Sequence, residues 1–108
     1  MALCDTRDII IFMEDMGRHN AVDKIFGRCL LENIPTEDKI ILISGRVSSE
    51  ILLKIAKRNI PVIVSRAAPT TLSVKLARKL NVTLIGFVRG KRMNIYASDW
   101  RVIDNRGN

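Results

Sequence analysis

The feature that most restricts this chain is a pair of short runs with no polar side. Lys39-Ile-Ile-Leu-Ile-Ser44 and Pro61-Val-Ile-Val-Ser65 are apolar at every interior position. A strand with one solvated face alternates apolar and polar residues, whereas these runs suit strands buried on both faces, as in parallel sheets covered by helices. Around them the hydrophobic period changes to that of a helix. Val22, Ile25, Phe26, Cys29 and Leu30 share one helical face, and Ile51, Leu52, Ile55 and Ala56 a second. In a third segment Leu72, Leu76 and Leu80 are expected inward, with Lys75, Arg78 and Lys79 mostly outward.

Further strands are expected at residues 8–13 and 81–88, and at 93–97 as an antiparallel edge. Asn20 is a good N-cap for the first helix, with Asp23 three residues on, and Pro35 stops that helix near Asn33. Ser48 or Ser49 caps the second helix, and Pro69 suits the first turn of the third. The tail from Ser98 has room for one short helical turn before a frayed Asn105-Arg-Gly-Asn108. The order β-α-β-α-β-α-β-β predicts one α/β domain over residues 1–108, a three-layer α/β/α arrangement with a mostly parallel sheet.

Composition fits a folded domain. The chain of 108 residues is 47% hydrophobic and 27% charged, and its aromatics are one Trp, one Tyr and three Phe, so the core has to be aliphatic. The net charge of +7 is unevenly spread. Between Ser44 and Arg92 eleven Lys and Arg residues stand against the single acid Glu50, a local charge of +10, while the flanks are net acidic. Charge concentrated in this way favours phosphate-rich partners, although lysines on helices also serve as an ordinary solvated surface. The opening Met-Ala-Leu-Cys-Asp-Thr-Arg-Asp lacks a basic segment followed by an apolar core, so no secretory leader is expected, and no apolar run approaches membrane-spanning length. Two cysteines make no disulfide framework, and a reducing cytoplasmic setting is expected.

Ligands of open α/β sheets collect where strands end and helices begin. Each such junction here is polar and carries an arginine: Glu14-Asp-Met-Gly-Arg-His-Asn20, Ser44-Gly-Arg-Val-Ser-Ser49, Ser65-Arg-Ala-Ala-Pro-Thr-Thr71 and Phe87-Val-Arg-Gly-Lys-Arg92. Backbone N–H groups at helix starts and bidentate guanidinium groups both suit anions. The candidate ligand contacts are therefore Arg18, His19, Asn20, Ser44, Gly45 and Arg46, together with the segment from Phe87 to Arg92. His19, the single histidine, fits a ligand-binding or structural role better than catalysis, because no nucleophile is matched to it. Asp23 and Lys24 are placed to face back toward the first loop. Cys29 falls on the apolar stripe and reads as core, while Cys4 precedes the first expected strand and is open to exposure. No zinc-ligand spacing, Walker loop, G-x-G-x-x-G fingerprint or G-x-S-x-G elbow is present.

Four ordered motifs carry a resemblance. Glu14-Asp-Met-Gly-Arg-His-Asn-Ala-Val-Asp-Lys24, Leu42-Ile-Ser-Gly-Arg-Val-Ser-Ser-Glu50, Ala67-Ala-Pro-Thr-Thr-Leu-Ser73 and Leu84-Ile-Gly-Phe-Val-Arg-Gly-Lys-Arg-Met-Asn-Ile-Tyr96 resemble the FdhD/NarQ family over nearly the whole chain. The resemblance implies a cytidine deaminase-like fold and the C-terminal, cofactor-binding part of a longer protein. It implies a role in formate dehydrogenase maturation, in which persulfide sulfur from a cysteine desulfurase reaches molybdenum bis(molybdopterin guanine dinucleotide), or its tungsten counterpart. Phe87, Val88, Arg89, Gly90, Lys91 and Arg92 match the cofactor-binding motif. Arg89, Lys91 and Arg92 are then expected to neutralise phosphates, Gly90 to let backbone approach, and a guanine nucleotide such as GDP to be a partial mimic.

The family's Cys-x-x-Cys loop has no counterpart at Cys4 or Cys29, so the chain alone is not expected to carry sulfur. The partners implied are the cysteine desulfurase, formate dehydrogenase, and either the N-terminal half of the same family or a further copy of this chain; a membrane and nucleic acid are not expected. Two other readings stand beside this one. The +10 segment suits a nucleic-acid module, though stacking aromatics are few. A small hydrolase or deaminase using His19 lacks a zinc triad and a nucleophile.

Overall fold

In a computed structural model the described residues are 1–13, 17–89 and 92–102, with Arg18, Phe87, Val88, Arg89 and Arg92 followed through their backbone. Six strands form one sheet in the order β2-β1-β3-β4-β5-β6, with β1 Ala2–Cys4, β2 Ile9–Phe12, β3 Ile40–Ile43, β4 Val62–Ser65, β5 Thr83–Arg89 and β6 Arg92–Ala97. The helices are α1 Arg18–Glu32, α2 Ser49–Lys57 and α3 Thr71–Lys79, followed by a 3-10 turn at Asp99–Arg101. The α/β class stands. The sheet, however, is mixed rather than mostly parallel: β3-β4 and β4-β5 pair in parallel, while β1-β2, β1-β3 and β5-β6 are antiparallel.

The departure comes from the short β1, which at three residues has no readable period. Ala2-Leu-Cys4 is fully buried and inserts between β2 and β3. Cys4, which had looked open to exposure, is therefore in the core. The two-sided apolar runs fall on β3 and β4, near the centre of the sheet, and 93–97 lies within the antiparallel edge strand.

Successive crossovers β2-α1-β3, β3-α2-β4 and β4-α3-β5 all step across the sheet in one direction. With right-handed connections they lay the three helices on one face, α1 against α2 and α2 against α3. The described residues thus build two layers, not three. Ile11, Leu3, Ile41, Ile63, Leu84 and Ala97 form the sheet's contribution to the core beneath the helices.

Helix boundaries refine the expected ones. Gly17, not Asn20, is the N-cap of α1, and Asn20 lies exposed in its first turn. Ser48 caps α2 through its side chain, and Thr70 caps α3, so Pro69 lies ahead of the helix rather than in its first turn. Each helix is followed by an asparagine at positive φ, Asn33, Asn59 and Asn81. Asparagine enters the left-handed region at lower cost than most residues, which lets a helix end sharply.

Two apolar stripes also shift. Leu30 is 71% exposed, although Val22, Ile25, Phe26 and Cys29 are buried as expected. In α3 the buried residues are Ser73 and Ala77, with Val74 and Leu76 half-buried, and Leu72 is 56% exposed. Ser73 can be buried because its hydroxyl donates to Thr70 O at 2.7 Å. The small pair Ser73 and Ala77 brings the helix axis close to the sheet, which larger leucines at those places would prevent. Below α3, Arg101 stacks on Trp100 and donates to Asn81 O and to Thr83 Oγ1, fixing the terminal turn at the N-terminal end of β5.

Candidate functional site: the carboxyl edge of the sheet

Because β1 is antiparallel to both its neighbours, β2 runs in the same direction as β3, β4 and β5. The carboxyl ends of four strands therefore share one edge, and α1, α2 and α3 begin there. The expected gathering of four junctions on one edge follows from this topology. Glu14, Asp15, Gly90 and Lys91, together with Asn105-Arg-Gly-Asn108, lie outside the described residues. Arg18 opens α1, and Phe87, Val88 and Arg89 continue β5 to the same edge, with Arg92 opening the returning strand.

The loops after β3 and β4 are built as one unit. Ser65 is 1% exposed, and its hydroxyl donates to Gly45 O at 2.6 Å while accepting from Ala67 N at 3.0 Å. Arg66 N donates to Ile43 O, and Thr70 N donates to Val47 O. One serine at the end of an apolar strand thus locks Gly45, in the first loop, to Ala67, in the second. A third element closes against them at Gly86, where a Cβ would lie 2.9 Å from Ala67 O, 2.9 Å from the Tyr96 ring and 3.3 Å from Pro69. Only a residue without a side chain lets β5 approach this loop so closely.

The groups displayed at the edge are cationic and polar. Ser44, Arg46 and Arg66 are exposed around the locked loops. Ser48 Oγ accepts from Ile51 N, and Thr70 Oγ1 accepts from Ser73 N. Each cap satisfies one N–H of its helix start and leaves the positive dipole end facing the edge. His19 is exposed, with Nε2 at 3.7 Å from the Glu50 carboxylate, so the first turns of α1 and α2 meet here. Asp23 does not face back to the first loop: its carboxylate accepts from Lys54 Nζ of α2 at 3.2 Å. Both pairs are exposed and contribute little stability.

A hollow of about 210 Å³ adjoins this edge, lined by Met1, Ala2, Ile9, Phe12, Leu42, Ile43, Ser44 and Arg66. It is smaller than the roughly 300–1,000 Å³ of ordinary small-molecule sites. The arginine-bearing edge fits the phosphate end of an anionic cofactor. The hollow does not enclose a dinucleotide.

Neither cysteine suits nucleophilic work. Cys4 and Cys29 are buried, and loss of hydration pushes both thiols above their ordinary value; for Cys4 the Asp5 carboxylate adds to the effect. A reactive thiol needs the opposite shift. Among the described residues no group of three or more His, Cys, Asp or Glu is placed to hold a metal, and no helix is long and apolar enough to cross a membrane.

Of the expected contacts, the fold brings Ser44, Gly45 and Arg46 to the edge beside Arg66, with His19 and Asn20 in the adjoining first turn of α1. Ser65 and Gly86 had not been singled out. Their signals were a polar residue closing an apolar strand and a glycine inside one.

Comparison with known proteins bears on the family and the fold. The family model for the FdhD/NarQ family matches residues 1–103. Over 102 residues the chain is 51% identical to the sulfur carrier protein FdhD of Bacillus pumilus, covering 94% of this chain and 39% of that protein. The FdhD of Bacillus subtilis is 48% identical over 101 residues, again 94% of this chain and 38% of the relative. A crystal structure from Desulfotalea psychrophila, assigned as a formate dehydrogenase accessory protein, superposes with a TM-score of 0.86 at 34% identity, covering 94% of this chain and 46% of that one. The chain thus spans about two-fifths of the length of the curated relatives it matches, and with that extent of match it belongs to the FdhD/NarQ family.

Proposed function

We propose that this chain supplies the phosphate-anchoring edge of an FdhD-type sulfur carrier, an accessory protein for formate dehydrogenase. In this reading the ligand is molybdenum bis(molybdopterin guanine dinucleotide), held while sulfur from a cysteine desulfurase is delivered to it. The observation that carries the reading is the convergence of four parallel strand ends and three helix starts on one edge that displays Arg46 and Arg66. Arginine grips phosphate oxygens through paired N–H donors, and helix N-termini add fixed positive potential. The bound cofactor would supply the metal and dithiolene chemistry, whereas this chain's residues would bind and orient its nucleotide end. Burial of Cys4 and Cys29 argues that the sulfur-bearing thiol belongs to a different part of the family's chain.

Calorimetry with GDP tests this reading. Binding is expected, with Arg46→Ala, Arg66→Ala, Arg89→Ala and Arg92→Ala each weakening it by about 10- to 100-fold, the equivalent of one charge-assisted contact. No measurable heat with GDP, or equal affinity in all four variants, overturns it.

A further inference from the structure

Among the described residues, no helix packs on the second face of the sheet. One residue along from the row beneath the helices, the pairing register sets Phe12, Ala2, Leu42, Val64, Ile85 and Ile95 side by side across all six strands. Cys4, Ile9, Ile40, Val62 and Thr83 continue the same face. Neither row contains a charge. Its outer members are left open: Ile9 is 62% exposed, Phe12 59% and Ile95 40%. The hollow of about 210 Å³ opens on this face, floored by Ala2, Ile9, Phe12 and Leu42.

We propose that this face is the docking surface for the remaining part of the FdhD/NarQ fold, the polypeptide that in the relatives lies outside the matched region. The proposal rests on family membership and is independent of the cofactor reading. Three observations select this occupant. The β3 and β4 runs are apolar on both faces, the pattern of strands covered twice, and the helices account for only one cover. The relatives keep this domain at about half identity and carry roughly three-fifths of their length beyond it, while more than half of the superposable crystal chain is likewise additional. That length of chain has to pack somewhere. The helical side displays Lys57, Arg58, Lys75, Arg78 and Lys79 to solvent among its exposed leucines Leu30, Leu31 and Leu72, whereas the sheet face is an uncharged apolar row running across all six strands, whose burial desolvates no charge. A second copy of this chain would instead bring a net charge of +7 against +7.

The test is a chimera in which this chain replaces the matched 102 residues of the Bacillus pumilus relative, compared with this chain alone. Hydroxyl-radical footprinting should label Phe12 and Ile95 in the isolated chain and lose that labelling in the chimera. Phe12→Asp and Ile95→Asp, chosen because both side chains are already open in the isolated domain, should leave its melting temperature within about 2 °C. In the chimera the same changes should lower it by at least about 5 °C. The same readouts apply to the two pieces co-expressed as separate chains. Undiminished labelling in the chimera, or equal melting shifts in both proteins, overturns the proposal. So does an isolated chain that sediments as a dimer with Phe12 and Ile95 already protected, since the occupant is then a second copy.

Discussion

Ser65 shows how much of the candidate edge depends on single atoms. Its hydroxyl is buried and satisfies both Gly45 O and Ala67 N, so Ser65→Ala leaves two polar groups without their partner. A loss of about 1–3 kcal/mol is expected in urea unfolding, together with weaker GDP binding as the two loops separate. Gly86→Ala should cost a similar amount, about 1–3 kcal/mol, because the added methyl meets the Ala67 carbonyl, a backbone atom that cannot turn aside. The cysteines give a prediction in pH. Folding raises both thiol pKa values, so the folded protein holds their protons more tightly than the unfolded chain does. Their contribution to stability is complete below the unfolded value, near 9.0, and declines as pH rises through the folded values. Cys4→Ala and Cys29→Ala should flatten the alkaline limb of a stability–pH profile, and both thiols should react slowly with Ellman's reagent at neutral pH until the protein is denatured.

At the scale of elements, α3 shows where periodicity misleads. Leu72, Leu76 and Leu80 repeat every four residues and are larger than Ser73 and Ala77, so hydrophobicity alone points to the wrong face. What decides the matter is clearance. Ser73 and Ala77 are the residues of α3 that are fully buried, and just ahead of the helix the loop at Ala67–Pro69 lies close against the Gly86 backbone. Ala77→Leu should therefore destabilise by about 1–3 kcal/mol through overpacking. Leu72→Ser should stay within about 0.5 kcal/mol by thermal or urea unfolding. The α2 cap was easier to read, since Ser48 stands immediately ahead of an apolar periodic segment, whereas Pro69 drew the start of α3 ahead of its Thr70 cap. Gly17 was not, because Asn20 offers a better capping side chain and lies only three residues later.

At the scale of the whole molecule, the alternation of strands and helices was legible because β3 and β4 are apolar throughout and the intervening segments have helical periods. The direction of β1 was not, since a three-residue strand carries no pattern and its antiparallel insertion depends on pairing with the nearby β2 on one side and the distant β3 on the other. The uneven charge was fully legible, and it leads to a prediction about the entire domain. The segment from Ser44 to Arg92, with its +10, repels itself in the folded state, and part of that repulsion gathers at the carboxyl edge with Arg46 and Arg66. Sodium chloride up to about 0.15 M, where charges are screened beyond about 8 Å, should raise the melting temperature modestly in the parent and slightly less in Arg46→Ala/Arg66→Ala. Pyrophosphate acts differently if the edge is an anion site, because a ligand that binds only the native state stabilises it by mass action, about 2.7 kcal/mol at a hundredfold excess over Kd. At fixed ionic strength, millimolar pyrophosphate should raise the parent's melting temperature well beyond the chloride effect, and the double variant should lose that increment while keeping the screening response. Equal responses of the two proteins to pyrophosphate would mean that the charge is a diffuse solvated surface, with no site at the ends of the strands.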